Sequence, residues 1–420
     1  MAQENNPKKR NILFISDAAS ANTGLARIHR DLITRTHEHL SDIYRVGSVG
    51  YGSPGTCKFH FPQYHLEGLQ SDWVIPSLPE IVDDFSPNER CILFFIWDLS
   101  RLKWLAQPER PGGETLIRYP GLQMWLKKAN IEKWIYAPID ASGPNNRLTF
   151  PLALTALGFD RLLAYGPFGE SVLRASIGEA EAEIRHLTNI PHGIDSKVFH
   201  PINRQVCRKV FLQSTGAQPI LAMLNGNPEG KPIADDEVLI GAVCTNQARK
   251  DLPLAFETIS ILSRQRKVRF WLHTDRLEAN WSIPSLLIDY GILENTLISL
   301  GSISDERLAT GYSACDLTIA PGLGEGMGYP IFESIFCGTP CLHINYGGAP
   351  HWIDNPDLLI DPIAYRYEGS YACKRPVSLP QQWAEKASDV IGKRTNFNGI
   401  LGWENLWQNE WEPWFREAAK

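Results

Sequence analysis

The chain has 420 residues, more than one hydrophobic core commonly holds, so two domains are expected. Apolar residues make up 43% and charged residues 21%, the balance of a globular protein with a core and not of a disordered one. The formal net charge of −6 excludes a global attraction to nucleic acid or anionic lipid and leaves only a local basic groove as a route to either.

The start, MAQENNPKKRNILFISDA, passes from polar to basic to apolar. Its apolar part is too short for a membrane span and no small-residue cleavage site follows, so it reads as a frayed tail entering a buried strand. No other segment is long and apolar enough to cross a bilayer. Eight scattered cysteines suit a reducing compartment, and a cytoplasmic location is expected. Strands are predicted over 11–18, 43–50, 91–98, 134–140 and 161–166, with a helix over 25–35 after the first. Continuous apolar strands separated by helices imply a parallel sheet covered on both faces. Functional residues gather at the carboxyl ends of such strands, where Asp17, Asp98 and Asp140 fall.

Residues 201–236 break the alternation. NRQVCRKVFLQ has a helical pattern, and the Gly-, Pro- and Asn-rich stretch after it reads as a linker or surface excursion. The alternation then restarts, with strands predicted over 238–244, 268–274, 296–303, 317–322 and 341–345 and a helix over 253–265. The expected division is 1–200, 201–395 and a terminal helix over 396–420. In that tail Trp403, Leu406, Trp407, Trp411, Trp414 and Phe415 recur every three or four residues, most of them on one helical stripe that needs a surface to cover. Cys337, Cys341 and His343 match no zinc spacing and sit in apolar sequence, so buried thiols are expected there and no metal site.

The stretch GLGEGMGYPIFESIFCGTP (322–340) carries the chemistry. Gly324, Gly326 and Gly328 lie between a strand and a helix. Glycine lets a ligand approach the backbone, and a helix N-terminus offers unpaired N–H groups to an anion such as phosphate. Glu325 lies in the loop and Glu333 about one turn into the helix; carboxylates accept paired hydrogen bonds from sugar hydroxyls. Arg249 and Lys250 stand side by side at the start of a helix. There they oppose the helix dipole unless they face an anion such as a diphosphate.

On these residues the second half resembles the family 4 retaining glycosyltransferases of GT-B fold. Glu325 and Glu333 match the E-x7-E signature, ARKD matches the Arg–Lys pair, and IPHGIDSKVFHP (190–201) is similar to the segment closing the first domain. NTGLARIHRDL is similar to the first loop and helix. The resemblance implies an α/β protein with two Rossmann-like domains, parallel sheets facing a central cleft, and a C-terminal helix crossing back to the first domain. It implies a nucleoside-diphosphate sugar as donor, with UDP preferred, and no cofactor or metal. Arg249 and Lys250 would bind the diphosphate, Glu333 the ribose, Glu325 the transferred sugar, and backbone N–H groups at Gly326, Met327 and Gly328 the phosphate or sugar oxygens. Ile303 would border the base, and Gly24 would approach the phosphates. Asp140, where relatives carry a histidine, would hold the sugar or orient the acceptor. The usual extra arginine is missing, so Asn246 would make part of the phosphate contact. There is no D-x-D motif, in keeping with charge stabilisation by cations. The acceptor stays open: a glycan, a lipid-linked sugar, a small molecule or a modified DNA base, the last served by Arg27, Arg30, Lys58 and His60. The oligomeric state also stays open. The same fold hosts a sugar-nucleotide epimerase and binding-only relatives.

Overall fold

The computed structural model describes residues 9–52, 58–69, 73–105, 120–128, 130–220, 223, 233–396 and 399–420. The polar start and most of the Gly- and Pro-rich stretch at 221–232 lie outside the described residues. Contacts divide the chain into two units. One holds residues 1–192, 369–373 and 404–420, and the other residues 193–368 and 374–403. Among the described residues no helix is long and apolar enough to cross a membrane.

The first unit is built on β1 (Arg10–Asp17), β2 (Tyr44–Tyr51), β3 (Gln63–Leu66), β4 (Cys91–Phe95), β5 (Ile131–Ala137), β6 (Arg161–Ala164) and β7 (Thr188–Asn189). They form one parallel sheet in the order β3-β2-β1-β4-β5-β6-β7. Ile12 to Ile15 are all fully buried, which accounts for a strand without polar alternation: both of its faces are covered. Helix Gly24–His39 follows β1 and runs further than its apolar pattern suggested. Thr23 caps it, its hydroxyl accepting from the Ala26 N–H at 3.1 Å.

The tail packs on this same sheet. Phe415 meets Phe14 of β1 and Phe94 of β4, and Trp414 meets Trp134 of β5, with ring centroids 5.2–6.3 Å apart. The Trp411 indole N–H donates to the Pro191 carbonyl at 3.0 Å, and the Tyr44 hydroxyl donates to the Phe415 carbonyl at 2.7 Å. The tail is not one regular α-helix. Trp403–Leu406 and Glu412–Ala418 are α-helical, and Trp407–Trp411 between them forms a π turn. Pro413 has no N–H to offer the Asn409 carbonyl, so the ladder slips by one residue and the Glu412 N–H bonds the Trp407 carbonyl.

The second unit carries β8 (Gln218–Pro219), β9 (Val238–Val243), β10 (Val268–Thr274), β11 (Thr296–Leu300), β12 (Leu317–Ala320), β13 (Cys341–Ile344) and β14 (Leu359–Ile360). Their order is β14-β13-β12-β9-β10-β11-β8, parallel except for β8 at one edge. A two-stranded hairpin of β15 (Ala364–Glu368) and β16 (Cys373–Val377) is added. The helical pattern of NRQVCRKVFLQ lies within a helix, and part of the stretch read as a linker after it joins the sheet. Residues Arg204–Thr215 form a helix capped by Asn203, and β8 extends the sheet, so this part belongs to the second unit. Arg204 and Arg208 from this helix both pair with Asp316, which also accepts the Leu239 N–H at 2.9 Å. A nearly buried carboxylate needs such partners, and they pin the helix to the sheet.

Candidate functional site

The chain fills the second sheet outward from β9, through β10 and β11 on one side and through β12 and β13 on the other. Strand order therefore reverses between β9 and β12, and the loops leaving their carboxyl ends diverge there. This is the position where open α/β sheets form a ligand crevice. The loop after β9 carries Arg249 and Lys250; the loop after β12 carries Glu325.

The two loops are bonded together. The Leu323 N–H donates to the Arg249 carbonyl at 2.8 Å, Arg249 Nη1 lies 3.2 Å from Glu325 Oε2, and Lys250 Nζ pairs with Glu325 Oε1. The Glu325 carbonyl accepts the Gly348 N–H at 2.7 Å. A Cβ at Gly348 would sit 1.7 Å from the Gly326 carbonyl oxygen, so only glycine fits beneath this loop. A Cβ at Gly322 would lie 2.8 Å from Glu325 Oε1, so this glycine leaves room for the Glu325 carboxylate. Burial opposes ionisation of Glu325, but the charges of Lys250 and Arg249 and the Lys250 hydrogen bond outweigh it and hold the carboxyl at about 2. The cluster is thus a cation pair bridged by one internal carboxylate, with one positive charge left over.

The cations do not sit on the following helix itself. They occupy a single 3-10 turn, Ala248–Lys250, and the helix begins at Leu252. Asp251 between them has φ 41° and ψ 51°, a left-handed corner that sets the turn apart from the helix axis. Glu333 lies on helix Tyr329–Phe336, 2% exposed, and accepts the Tyr312 hydroxyl at 2.9 Å. Gly328, with φ 89°, starts this helix. Gly326 and Met327 precede it, and the Met327 side chain is buried, so only backbone there can meet a ligand. Ile303 is half-buried in the loop after β11, at the same edge of the sheet but two strands beyond β9.

Asn246 needs correction as a phosphate contact. Its amide group donates to the carbonyls of Leu277 and Trp281 at 3.3 and 2.8 Å, and its oxygen accepts the Trp281 N–H at 3.0 Å. At 3% exposure this side chain holds loop 276–281 in place, and its hydrogen-bonding capacity is spent on that loop.

Gly24 and Asp140 belong to the first unit. Gly24 is exposed at the start of its helix, and Asp140 is half-buried three residues past β5. At the matching strand-order reversal of that sheet, between β1 and β4, Asp17 accepts from Thr23 at 2.7 Å and from the Trp97 indole at 3.1 Å. Lys58 and His60 are exposed in the segment between β2 and β3.

Sequence reasoning missed three participants. Tyr312 orients Glu333 from another helix. Arg375 of β16 donates to the Leu323 carbonyl at 3.4 Å. His343 is fully buried on β13, its Nδ1 2.9 Å from the Ala320 carbonyl, and its pKa is lowered by burial while Glu325 raises it and Lys250 lowers it. None of the three lies in the motif; only sheet pairing brings them to it. Cys337 and Cys341 are buried, and burial pushes both thiols up to about 12. Among the described residues no group of His, Cys, Asp and Glu is arranged to hold a metal ion.

Comparison with solved structures gives the fold. Sucrose-phosphate synthase from Thermosynechococcus elongatus superposes with a TM-score of 0.61 at 15% identity, covering 98% of this chain and all of that one. Anabaena HepE, solved in complex with UDP-glucose, gives 0.62 at 13% identity, with 97% and 99% covered. WaaG, a glycosyltransferase involved in lipopolysaccharide biosynthesis, gives 0.57 at 14%, with 97% and 98% covered. Fold and sheet topology together define a GT-B protein. Within it, residues 237–366, about a third of the chain, match the family model of the glycosyl transferases group 1. Curated relatives align over part of the same chain. The serotype-specific mannosyltransferase WbdA of Escherichia coli is 29% identical over 122 residues, 28% of this chain and 15% of that protein. The O-antigen chain mannosyltransferase B of Escherichia coli is 28% identical over 120 residues, 28% of this chain and 31% of that protein. The match therefore spans a third or less of the length of these two relatives.

Proposed function

We propose that this protein is a retaining glycosyltransferase that moves a sugar from a nucleoside-diphosphate sugar to an acceptor hydroxyl without a divalent metal. The observation carrying this reading is the Arg249–Lys250–Glu325 cluster at the strand-order reversal of the second sheet. An arriving diphosphate draws Arg249 and Lys250 from Glu325 onto its oxygens, and the released carboxylate turns to the hydroxyls of the transferred sugar. Glu333, oriented by Tyr312, accepts from the ribose. Backbone N–H groups at Gly326, Met327 and Gly328 and the N-terminus of helix Tyr329–Phe336 meet phosphate or sugar oxygens. Ile303 borders the base. From the first unit Gly24 meets the phosphates, and Asp140 binds the sugar or orients the acceptor.

In the reaction the bond from the anomeric carbon to the diphosphate oxygen breaks and a bond to the acceptor oxygen forms on the same face. The acceptor proton passes to the leaving phosphate. Arg249 and Lys250 offset the charge that develops on that leaving group, the role a metal ion plays elsewhere. The names of the relatives, O-antigen and lipopolysaccharide enzymes among them, support a carbohydrate acceptor. The UDP-glucose complex of HepE supports a UDP-sugar donor, and the mannosyltransferase relatives support mannose among the sugars to be screened. Calorimetry with UDP, GDP and ADP in EDTA tests the reading. At least one should bind, UDP most tightly, and mass spectrometry with the matching sugar nucleotides should show transfer. Binding by none of the three, or binding only after a metal is restored, overturns it.

A further inference from the structure

The other end of the first sheet holds a cleft that the donor site does not use. It has a volume of about 590 Å³ and opens at the amino ends of β1, β5 and β6, opposite the edge that carries Asp17 and Asp140. Its lining presents seven Lys and Arg side chains against two carboxylates, in a chain whose formal charge is −6. The excess is therefore local to this cleft.

The floor is already organised. Glu132 accepts from the Trp134 indole at 2.7 Å and pairs with Arg10 at 2.6 Å and Arg161 at 3.9 Å. Both guanidinium groups also lie over the Trp134 ring, 5.9 and 5.6 Å from its centroid. Arg10 further donates to the Ala418 carbonyl at 2.5 Å, closing the end of the tail helix. Lys133 pairs with Asp160 at 3.6 Å. These contacts account for Arg10, Arg161 and Lys133 as structural charges, and Lys420 pairs with Glu417 at 2.6 Å. They do not account for Arg90, Lys127 and Lys128. Those three side chains are exposed at the rim, and their charged groups have no hydrogen bond or ion pair among the described residues.

Like charges facing one cavity repel one another. A ligand with several adjacent negative groups relieves it at once and gives each cation a strong charge-assisted partner. We infer that this cleft is a second anion site, separate from the donor site, that binds a soluble ligand carrying two or more adjacent phosphates. Its recessed floor favours a compact ligand that enters the cleft over a flat bilayer that stays at the rim.

Inorganic tripolyphosphate is the probe. Its binding to the full chain is measured by calorimetry for wild type, for Lys250→Ala and for the triple charge reversal R90E/K127E/K128E. Wild type should bind, Lys250→Ala should keep this binding, and the triple variant should lose roughly tenfold or more in affinity. Rising salt should weaken it steeply. Circular dichroism melting checks that the triple variant is folded, and K127A/K128A serves as the milder variant, with a smaller loss in the same direction. No binding by wild type overturns the inference, as does an undiminished affinity in both rim variants. Loss of all binding in Lys250→Ala also overturns it, because the donor site would then be the sole anion site. Binding to phosphatidylglycerol vesicles without binding to tripolyphosphate would show a membrane contact instead and overturn the soluble-ligand reading. Nucleotide binding tests the proposed function independently of all these outcomes.

Discussion

At the scale of single residues, the decisive feature is that the one Glu325 carboxylate pairs with both Arg249 and Lys250. This makes a sharp distinction between roles. On the proposed function Lys250→Ala removes a phosphate contact, and kcat/KM for the sugar nucleotide should fall by an amount equivalent to about 2–4 kcal/mol. Wild-type turnover in that variant would place the site elsewhere. Glu325 also makes a pH prediction. Its folded-state pKa, about 2, lies below the ordinary value of 4.5, so its contribution to stability is fully present above about 4.5 and is lost as pH falls toward 2. The stability advantage of wild type over Glu325→Gln should be steady near neutrality and shrink by roughly 3 kcal/mol across that acid window. Urea unfolding of both proteins at a series of pH values measures it. A difference that grows on acidification would contradict the ion-pair account.

At the scale of elements, the Glu325 loop is held by contacts from three directions: Arg249 on one side, Arg375 from β16, and the Gly347–Gly348 corner below. The close approach of Gly348 to the Gly326 carbonyl makes this the tightest point of the site. Gly348→Ala must push the loop outward, and overpacking of this kind costs about 1–3 kcal/mol. The variant should be less stable in urea and also weaker for nucleotide, because the loop it displaces carries Glu325. A loss of stability with nucleotide affinity untouched would mean that the loop does not meet the ligand. The tail shows the same dependence on tertiary contact. Its apolar spacing of three and four is visible in sequence, but the π turn is not, because Pro413 disturbs a ladder whose repair depends on what Trp411 and Phe415 pack against.

At the scale of the whole molecule, the chain leaves the second unit at Trp403 and ends on the first sheet. Trp407, Trp411 and Phe415 are nearly fully buried there: Phe415 meets Phe14 and Phe94, Trp411 meets Tyr136, and Trp407 meets His39. Deleting residues from Gly402 onward should uncover that apolar face. Burial of each large side chain contributes about 1.5–3 kcal/mol, so the loss should reach several kcal/mol and appear as a lower Tm together with increased binding of a hydrophobic dye. A truncated chain with the wild-type Tm would show that the tail adds nothing to the first unit.

The sequence alone determined the alternation of strand and helix, because strands covered on both faces must be apolar along their whole length. Val268–Thr274 matched to the residue, and the strands around it to within a few. It also determined that Glu325, Arg249 and Lys250 fall at strand ends, since a Gly-rich turn between a strand and a helix is a local pattern. Only the tertiary structure decided which strands are neighbours. That set β9 beside β12, brought residues some 75 positions apart into an ion pair, and recruited Tyr312, His343 and Arg375 from elements without a motif. It also withdrew Asn246, whose amide looks available in sequence but is used by a loop that sequence does not bring near it. Helix and strand are written in periods of a few residues, whereas a binding site is made of contacts between distant ones, and those exist only once the sheet has chosen its order.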